Sequence, residues 1–413
     1  MARTKFTKAE KSWILYDVGN SALVLLATSV IPIYFNSLAA ADPAVENVAV
    51  GAWGAAETIA SLIIALLMPI LGSIADMEGM RKKFIVGCVG TGAVATVAMG
   101  FPTHWLAFLV VYVISSVMLN SSFVFYDALL VDATTDERMD EVSSQGFAWG
   151  YVGSCIPFIA CLLIVLNAKT LGLSMQHAML IAFVITSAWW VAFTIPMIKN
   201  VEQKSFKPRQ PHALRAAIGG IGKTLRSIWQ YEAMRYFILA YFFYIDGVHT
   251  VIKMSTSYGS NLGIEGTQLV LALLVTQFVA WPASIIYGKL GHSVGTKKMI
   301  LVGILGYFGI TLFAAFFLRT ATEFWILAIC VGLFQGGIQA LSRSEFGKLC
   351  PKDHVNEYFG FFDIFGKYAA ILGTGLVSAF TFLTGNPSLG VLSISLLFIL
   401  GFFIMLKVPD HVR

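Results

Sequence analysis

The chain has 413 residues, of which 57% are hydrophobic and 12% charged, against about 45–50% and 25% in soluble globular domains. That composition excludes a water-soluble globule and puts most of the mass in lipid. The formal net charge of +5 sits in short basic clusters between apolar runs, where it reports membrane orientation and gives no sign of nucleic acid as a partner.

The N-terminal MARTKFTKAEK is basic. The apolar stretch behind it is about 25 residues long, carries Asp17 and lacks a small-residue cleavage site, so it reads as a retained first span. Crossing a hydrocarbon core of ~30 Å takes ~20 helical residues. Twelve runs qualify, at 12–38, 49–74, 84–101, 105–130, 143–167 and 177–199 in the first half and at 231–259, 267–290, 299–318, 324–349, 357–383 and 389–407 in the second. Backbone groups in lipid must bond within their own segment, and no ten-residue alternation marks barrel strands. The expected class is an all-α membrane protein of twelve spans in two six-helix repeats.

The longest connection separates 1–199 from 231–413. It contains KSFKPRQPHALRAAIGGIGKTLRSIW, a Pro-flanked basic stretch followed by an amphipathic surface helix within 200–230. It reads either as a linker lying on anionic headgroups or as a partner-binding segment. The Lys and Arg of the connections gather in 1–11, 81–83, 199–226 and 289–298, on the face that holds both termini; Lys169 and Arg319 fall on the other. The positive-inside rule makes both termini cytoplasmic in a plasma or inner membrane. Five cysteines, Cys88, Cys155, Cys161, Cys330 and Cys350, lie in or beside apolar runs without metal-ligand spacing, so neither a disulfide framework nor a zinc site is expected.

The two halves share a loop. Gly72-Ser-Ile-Ala-Asp76-Met-Glu-Gly79-Met-Arg81-Lys82-Lys83 follows the second span, and Gly288-Lys-Leu-Gly-His292-Ser-Val-Gly295-Thr-Lys297-Lys298 follows the eighth. Each has glycines seven apart, a polar residue at the fifth position and a basic pair that anchors a short turn. The same loop at equivalent points of two six-helix halves implies duplicated repeats. With its twelve spans and central basic loop, the chain resembles a major facilitator transporter throughout. Trp13-Ile-Leu-Tyr16-Asp17-Val-Gly-Asn20-Ser21, Phe125-Tyr126-Asp127, Val142-Ser-Ser-Gln-Gly146-Phe, Tyr244-Ile-Asp246-Gly247-Val-His249-Thr250 and Gly336-Gly-Ile-Gln339-Ala-Leu-Ser342-Arg343 look like its vacuole-effluxer-like branch. The resemblance implies a permease for a small solute, with amino-acid efflux the role associated with fungal members. It also implies a charge-relay role for Asp76, which His292 breaks at the symmetric position.

An ionisable residue within a span costs at least about 2.5–3.5 kcal/mol on insertion scales and so faces a cavity or a partner. The interiors of the third, sixth, ninth and twelfth spans carry none, which fits the outward-facing helices of the facilitator fold. Asp17, Asp127 and Arg343, with Glu345, lie near the inner ends of their spans, and Glu57 and Lys253 near the outer ends. Each set reads as a gate or as a static ion pair that orients helices. With Asp363 of the eleventh span and Asp76 of the loop, these complete the gating candidates.

Asp246 lies nearest the middle of the seventh span, with His249 one turn outward and Lys367 at comparable depth on the eleventh. These three and Lys253 are the candidate substrate and proton groups. Gln335 and Gln339 share one face of the tenth span and, with Asn20 and Tyr126, offer uncharged donors and acceptors, either to a polar solute or to neighbouring helices. Gly146, Gly150 and Gly153 read as a close-packing stripe. No P-loop, Ser-His-Asp or HExxH spacing occurs, which argues against an ATP-driven pump or an enzyme, and no cofactor is called for. The expected function is proton-coupled efflux of an amino-acid-like solute by a monomer. Uptake of an organic anion by the same fold and a non-transporting sensor or scaffold are the alternatives.

Overall fold

The structure is a computed structural model that describes residues 5–40, 42, 48–261 and 263–409. Helix α1 (Lys8–Ala39) begins four residues before the expected start, because Thr7 and Glu10 close a capping box: Glu10 N–H donates to Thr7 Oγ1 at 3.2 Å and Thr7 N–H to the Glu10 carboxylate at 2.7 Å. Then come α2 (Ala49–Ala75), α3 (Met80–Ala98), α4 (Trp105–Ala133), α5 (Met139–Leu166) and α6 (Met175–Asn200). The amphipathic helix of the central connection is α7 (Ala213–Gln230). The second half holds α8 (Glu232–Asn261), α9 (Gly266–Val294), α10 (Thr296–Phe317), α11 (Ala321–Leu349), α12 (Val355–Thr384), α13 (Pro387–Ser393) and α14 (Ser395–Leu406). A second capping box, Thr320 with Glu323, opens α11.

Among the described residues, eleven helical segments are long and apolar enough to cross a membrane. Helix α3, the third expected span, is the one outside that set; its first turn carries Arg81, Lys82 and Lys83, which the expected start at residue 84 left outside. The last expected span is interrupted at Ile394. There Ser393 Oγ donates back to the Gly390 carbonyl at 2.6 Å, a side-chain bond that competes with the helical ladder.

The chain forms two compact units. The first comprises residues 1–133, 149–214 and 352–359; the second comprises 134–148, 215–351 and 360–413. The start of α5 belongs to the second unit and the start of α12 to the first. In the first unit α1 packs on α6 and α4, α3 on α4 and α6, and α2 on α4. In the second the same pairings recur in the same order: α8 on α14 and α11, α10 on α11 and α14, α9 on α11. Equivalent partners at equivalent positions are what a duplicated six-helix bundle requires.

The outward faces are apolar. Val94 of α3, Ile195 of α6, Leu305 of α10 and Phe403 of α14 are exposed, as expected where lipid is the solvent. The cores are aromatic and closely packed, with Trp13, Phe108, Trp190 and Phe183 buried in the first unit and Tyr244, Tyr307 and Phe398 in the second. The glycine stripe on α5 meets α1: a side chain at Gly150 would stand 2.9 Å from Ser21 Oγ, and one at Gly153 2.6 Å from Val18.

Gly72 is the tightest point of the shared loop. A Cβ there would stand 2.5 Å from the Asn356 carbonyl oxygen and 2.9 Å from its carbon, which are backbone atoms that cannot swing aside. Gly87 on α3 has nothing within 4 Å. Gly72→Val should therefore cost about 1–3 kcal/mol of stability, measured as a lower thermal midpoint of the purified protein, while Gly87→Ala should leave it unchanged. Equal midpoints for the two variants would contradict the close approach.

Candidate functional site

The first unit gathers its polar side chains where α1 meets α4. Trp13, Tyr16, Asp17 and Asn20 occupy consecutive turns of α1 on the face toward α4, which the 3.6-residue period permits. Tyr126 O–H donates to one Asp17 oxygen at 2.8 Å, and Asn20 Nδ2 donates to the other at 3.3 Å. Trp13 stacks on the Tyr126 ring with centroids 4.3 Å apart and donates Nε1–H to the Tyr126 carbonyl at 2.9 Å. Tyr16 O–H donates to Ser122 Oγ at 2.7 Å. All are buried, Asp17 at 7% and Asn20 at 2% exposure, so the carboxylate is screened from solvent and held by neutral donors.

The second unit repeats the Tyr–Ser bond and changes the acid. Tyr244 Oη and Ser342 Oγ are 2.6 Å apart between α8 and α11, the helices that correspond to α1 and α4. Asp246, two residues further on, turns to α12. Its Oδ1 accepts the Gly373 N–H at 2.9 Å and the Thr250 hydroxyl at 3.3 Å. Its Oδ2 is buried with no partner among the described residues. Position 373 must be glycine for this: a Cβ there would stand 2.6 Å from Asp246 Oδ1 and 2.2 Å from Thr250 Oγ1. Next to it, His249 Nδ1 lies 3.3 Å from the Gly366 carbonyl. Lys253 is exposed, seven residues from Asp246 and so on the same face of α8.

Loop ends of the helices carry two polar clasps. In the first unit, Asp76 accepts the N–H groups of Asn356 at 2.8 Å and Glu357 at 3.0 Å. It thereby acts as the N-cap of α12 from outside that helix. Arg81 bridges Asp76, at 3.1 Å, and Asp132. The other Asp132 oxygen accepts the N–H groups of Lys204 and Ser205, and Lys207 Nζ meets Glu357 at 2.7 Å. Arg81 and Asp76 are fully buried. Burial pushes the Asp76 carboxyl above the usual carboxylate range, against the pull of Arg81 and of the α12 N–H groups.

In the second unit the acid has moved onto the clasped helix. Asp140, in the first turn of α5, accepts from Thr296 Oγ1 and Lys348 Nζ, both at 2.7 Å, and from Ser344. His292, at the position equivalent to Asp76, meets the Glu137 carbonyl through Nδ1 at 2.9 Å. Arg343 adds two bonds to α5, from Nε to Ser143 Oγ and from its guanidinium to the Ser143 carbonyl, each 2.9 Å. Its Cζ also lies 4.4 Å over the Phe147 ring.

Of the residues singled out in the sequence, Asp17, Asn20 and Tyr126 come together in the first unit, and Asp246 and His249 lie side by side in the second. Glu57 accepts from Tyr112 within the first unit. Gln339 Nε2 donates to the Gln335 carbonyl at 3.2 Å, a bond within α11. Asp127 and Asp363 are partly exposed, and the side chain of Lys367 lies outside the described residues. Asp132, Asp140 and Lys348 went unremarked in the sequence. Their signals were an acid at the end of the fourth span, an acid in the first turn of the fifth and a base in the last turn of the tenth, all common helix-end features.

The family model described as vacuole effluxer Atg22 like matches residues 55–411. The "uncharacterized MFS-type transporter YxiO" of Bacillus subtilis is 46% identical over 412 residues, covering 98% of this chain and 96% of that one. Autophagy-related protein 22 of Cryptococcus neoformans is 26% identical over 275 residues, 61% of this chain, which spans about half (47%) of that longer relative. Among solved structures, the major facilitator superfamily transporter FucP has a TM-score of 0.73 at 14% identity, with 97% of this chain and 98% of that one covered. At that identity the likeness carries the fold, which is the major facilitator fold of two repeats.

The Arg81 clasp is open to direct test. Removing one partner of a buried ion pair leaves an uncompensated charge and costs about 3–5 kcal/mol. Arg81→Ala, which leaves Asp76 and Asp132 buried without their cation, should lose that much stability, read as a lower thermal midpoint, whereas Lys83→Ala, beside the clasp, should change it little. A loss below about 1 kcal/mol for Arg81→Ala would show that the pair contributes nothing beyond an exposed one.

Proposed function

Because this chain belongs to the vacuole effluxer Atg22-like family of MFS-type transporters, we propose that it exports a small polar or zwitterionic solute of the amino-acid class, by alternating access and at the expense of a proton gradient. The observation that carries the coupling is Asp246. A carboxyl within a membrane span needs a cation, a full set of donors or a proton. Two donors hold Oδ1 of Asp246, and Oδ2 has none among the described residues, so the second oxygen is the natural seat of a proton. Protonation neutralises the span and leaves the Gly373 and Thr250 bonds intact, because both use Oδ1.

The polar groups of the second unit support a zwitterionic solute: His249, and Lys253 on the same face of α8, offer donors to its carboxylate beside the Asp246 carboxyl. The family name supports efflux, and the basic connections support cytoplasmic termini in a plasma or inner membrane. The solute binds as a substrate, and the transporter works as a monomer.

Asp246→Asn imitates the protonated form. In proteoliposomes it should bind solute and catalyse counterflow at rates within about twofold of the parent, yet lose accumulation driven by a pH gradient. A panel of zwitterionic, anionic and neutral metabolites in the counterflow assay tests the solute class independently. Uphill transport by Asp246→Asn equal to the parent's would place coupling elsewhere. Counterflow of anions alone would replace the zwitterion.

A further inference from the structure

Helix α7 takes no part in the sites described above, and its surface is unusual. It ends at Gln230, and the membrane-crossing α8 begins at Glu232, so its C-terminal end stands one residue from a span. Three stripes run along it. Ala217, Thr224 and Ile228 are buried. Beside them Leu214, Ile218, Leu225 and Trp229 are exposed at 58, 53, 42 and 53%, and at 100° per residue all four fall within an arc of about 60°. Arg215, Lys223 and Arg226 are exposed along the next flank. No acidic residue occurs between Glu202 and Glu232.

An exposed apolar stripe holding a tryptophan, flanked by bases and free of acids, is mismatched to water. It matches the boundary between headgroups and acyl chains, where the apolar stripe sinks and the cations stay among phosphates. The position of α7 at the mouth of α8 leaves that boundary within reach. The preceding segment is held in place: Lys207 N–H donates to the Asp76 carbonyl at 2.8 Å, Glu78 N–H donates to the Lys207 carbonyl at 3.2 Å, and Arg209 caps the Glu78 carbonyl.

We propose that α7 docks on the anionic leaflet of the membrane the protein spans, with Leu214, Ile218, Leu225 and Trp229 immersed and Arg215, Lys223 and Arg226 bound to phosphate-bearing headgroups. Docking there fixes the entry of α8, the helix that carries Asp246, and makes the lipid a structural partner of the second unit. The inference rests on the chain's spanning a membrane and is independent of solute and coupling ion.

Full-length protein with its five cysteines replaced, carrying a fluorescent label at Ile218→Cys, Leu225→Cys or Ala216→Cys, is reconstituted in vesicles containing brominated lipid. With about one third phosphatidylglycerol, quenching at 218 and 225 should exceed that at 216 by about threefold. In pure phosphatidylcholine that contrast should fall by about half. The variant Arg215→Gln/Lys223→Gln/Arg226→Gln should show the smaller contrast in both lipids; its substituted side chains are exposed, and an unchanged thermal midpoint confirms its fold. Equal quenching at the three sites overturns the immersion. Strong quenching at 218 and 225 that ignores headgroup charge overturns the anionic partner. Unquenched labels that cross-link between copies assign the stripe to a second copy of the chain and overturn the proposal.

Discussion

The protein is governed by the bilayer's refusal to solvate a polar group. A helix in hydrocarbon satisfies its own backbone, but a side chain that carries charge must be hidden, paired or neutralised. Three buried charges answer that demand differently. Asp17 is surrounded by neutral donors from α1 and α4. Arg81 is divided between two carboxylates. Asp246 is served on one oxygen and, among the described residues, unserved on the other. In the first both carboxylate oxygens are served, and in the second the cation has two counter-charges, which suits a structural role. The third is incomplete, and an incomplete buried carboxyl is where protein chemistry has work left to do.

Duplication explains how the rest is arranged. The same helix pairings and the same Tyr–Ser bond recur in both units, so the scaffold is repeated while the charges on it have diverged. The shared loop shows the divergence most clearly. In one copy the acid lies in the loop and caps the first turn of α12. In the other the acid, Asp140, lies on α5 itself and is gripped by Lys348, Thr296 and Ser344. The glycine at the start of each copy serves both: Gly72 lets the α12 backbone approach, and Gly288 would meet Ser144 at 2.6 Å. His292 loses the acid's role without loss of the clasp, because Asp140 supplies the carboxylate from the opposite side.

Hydropathy made the spans legible, since nothing else accounts for twelve charge-poor runs of membrane length. Their ends were less so. Thr7-x-x-Glu10 and Thr320-x-x-Glu323 carry the capping-box pattern, and reading them would have moved the starts of α1 and α11 to their observed places. The break at Ile394 goes with a serine hydroxyl, that of Ser393, returning to the backbone, which apolar counting does not register. Asp246 stood out because a lone acid deep in a span is costly. Asp132 and Asp140 did not, because acids at helix ends are ordinary, and only tertiary proximity to Arg81 and Lys348 turns them into clasps. The Gly373 N–H on Asp246 is equally hidden, since it arises from two helices more than a hundred residues apart in sequence.

The central claim is that Asp246 takes up and releases a proton within the span. Infrared difference spectroscopy on the reconstituted protein measures this directly through the carbonyl stretch of a protonated carboxyl. The account predicts a band that fades as pH rises, shifts on solute binding and is missing from Asp246→Asn. A band that persists unchanged in Asp246→Asn, or a parent spectrum with no protonated carboxyl at any pH at which transport runs, would contradict it.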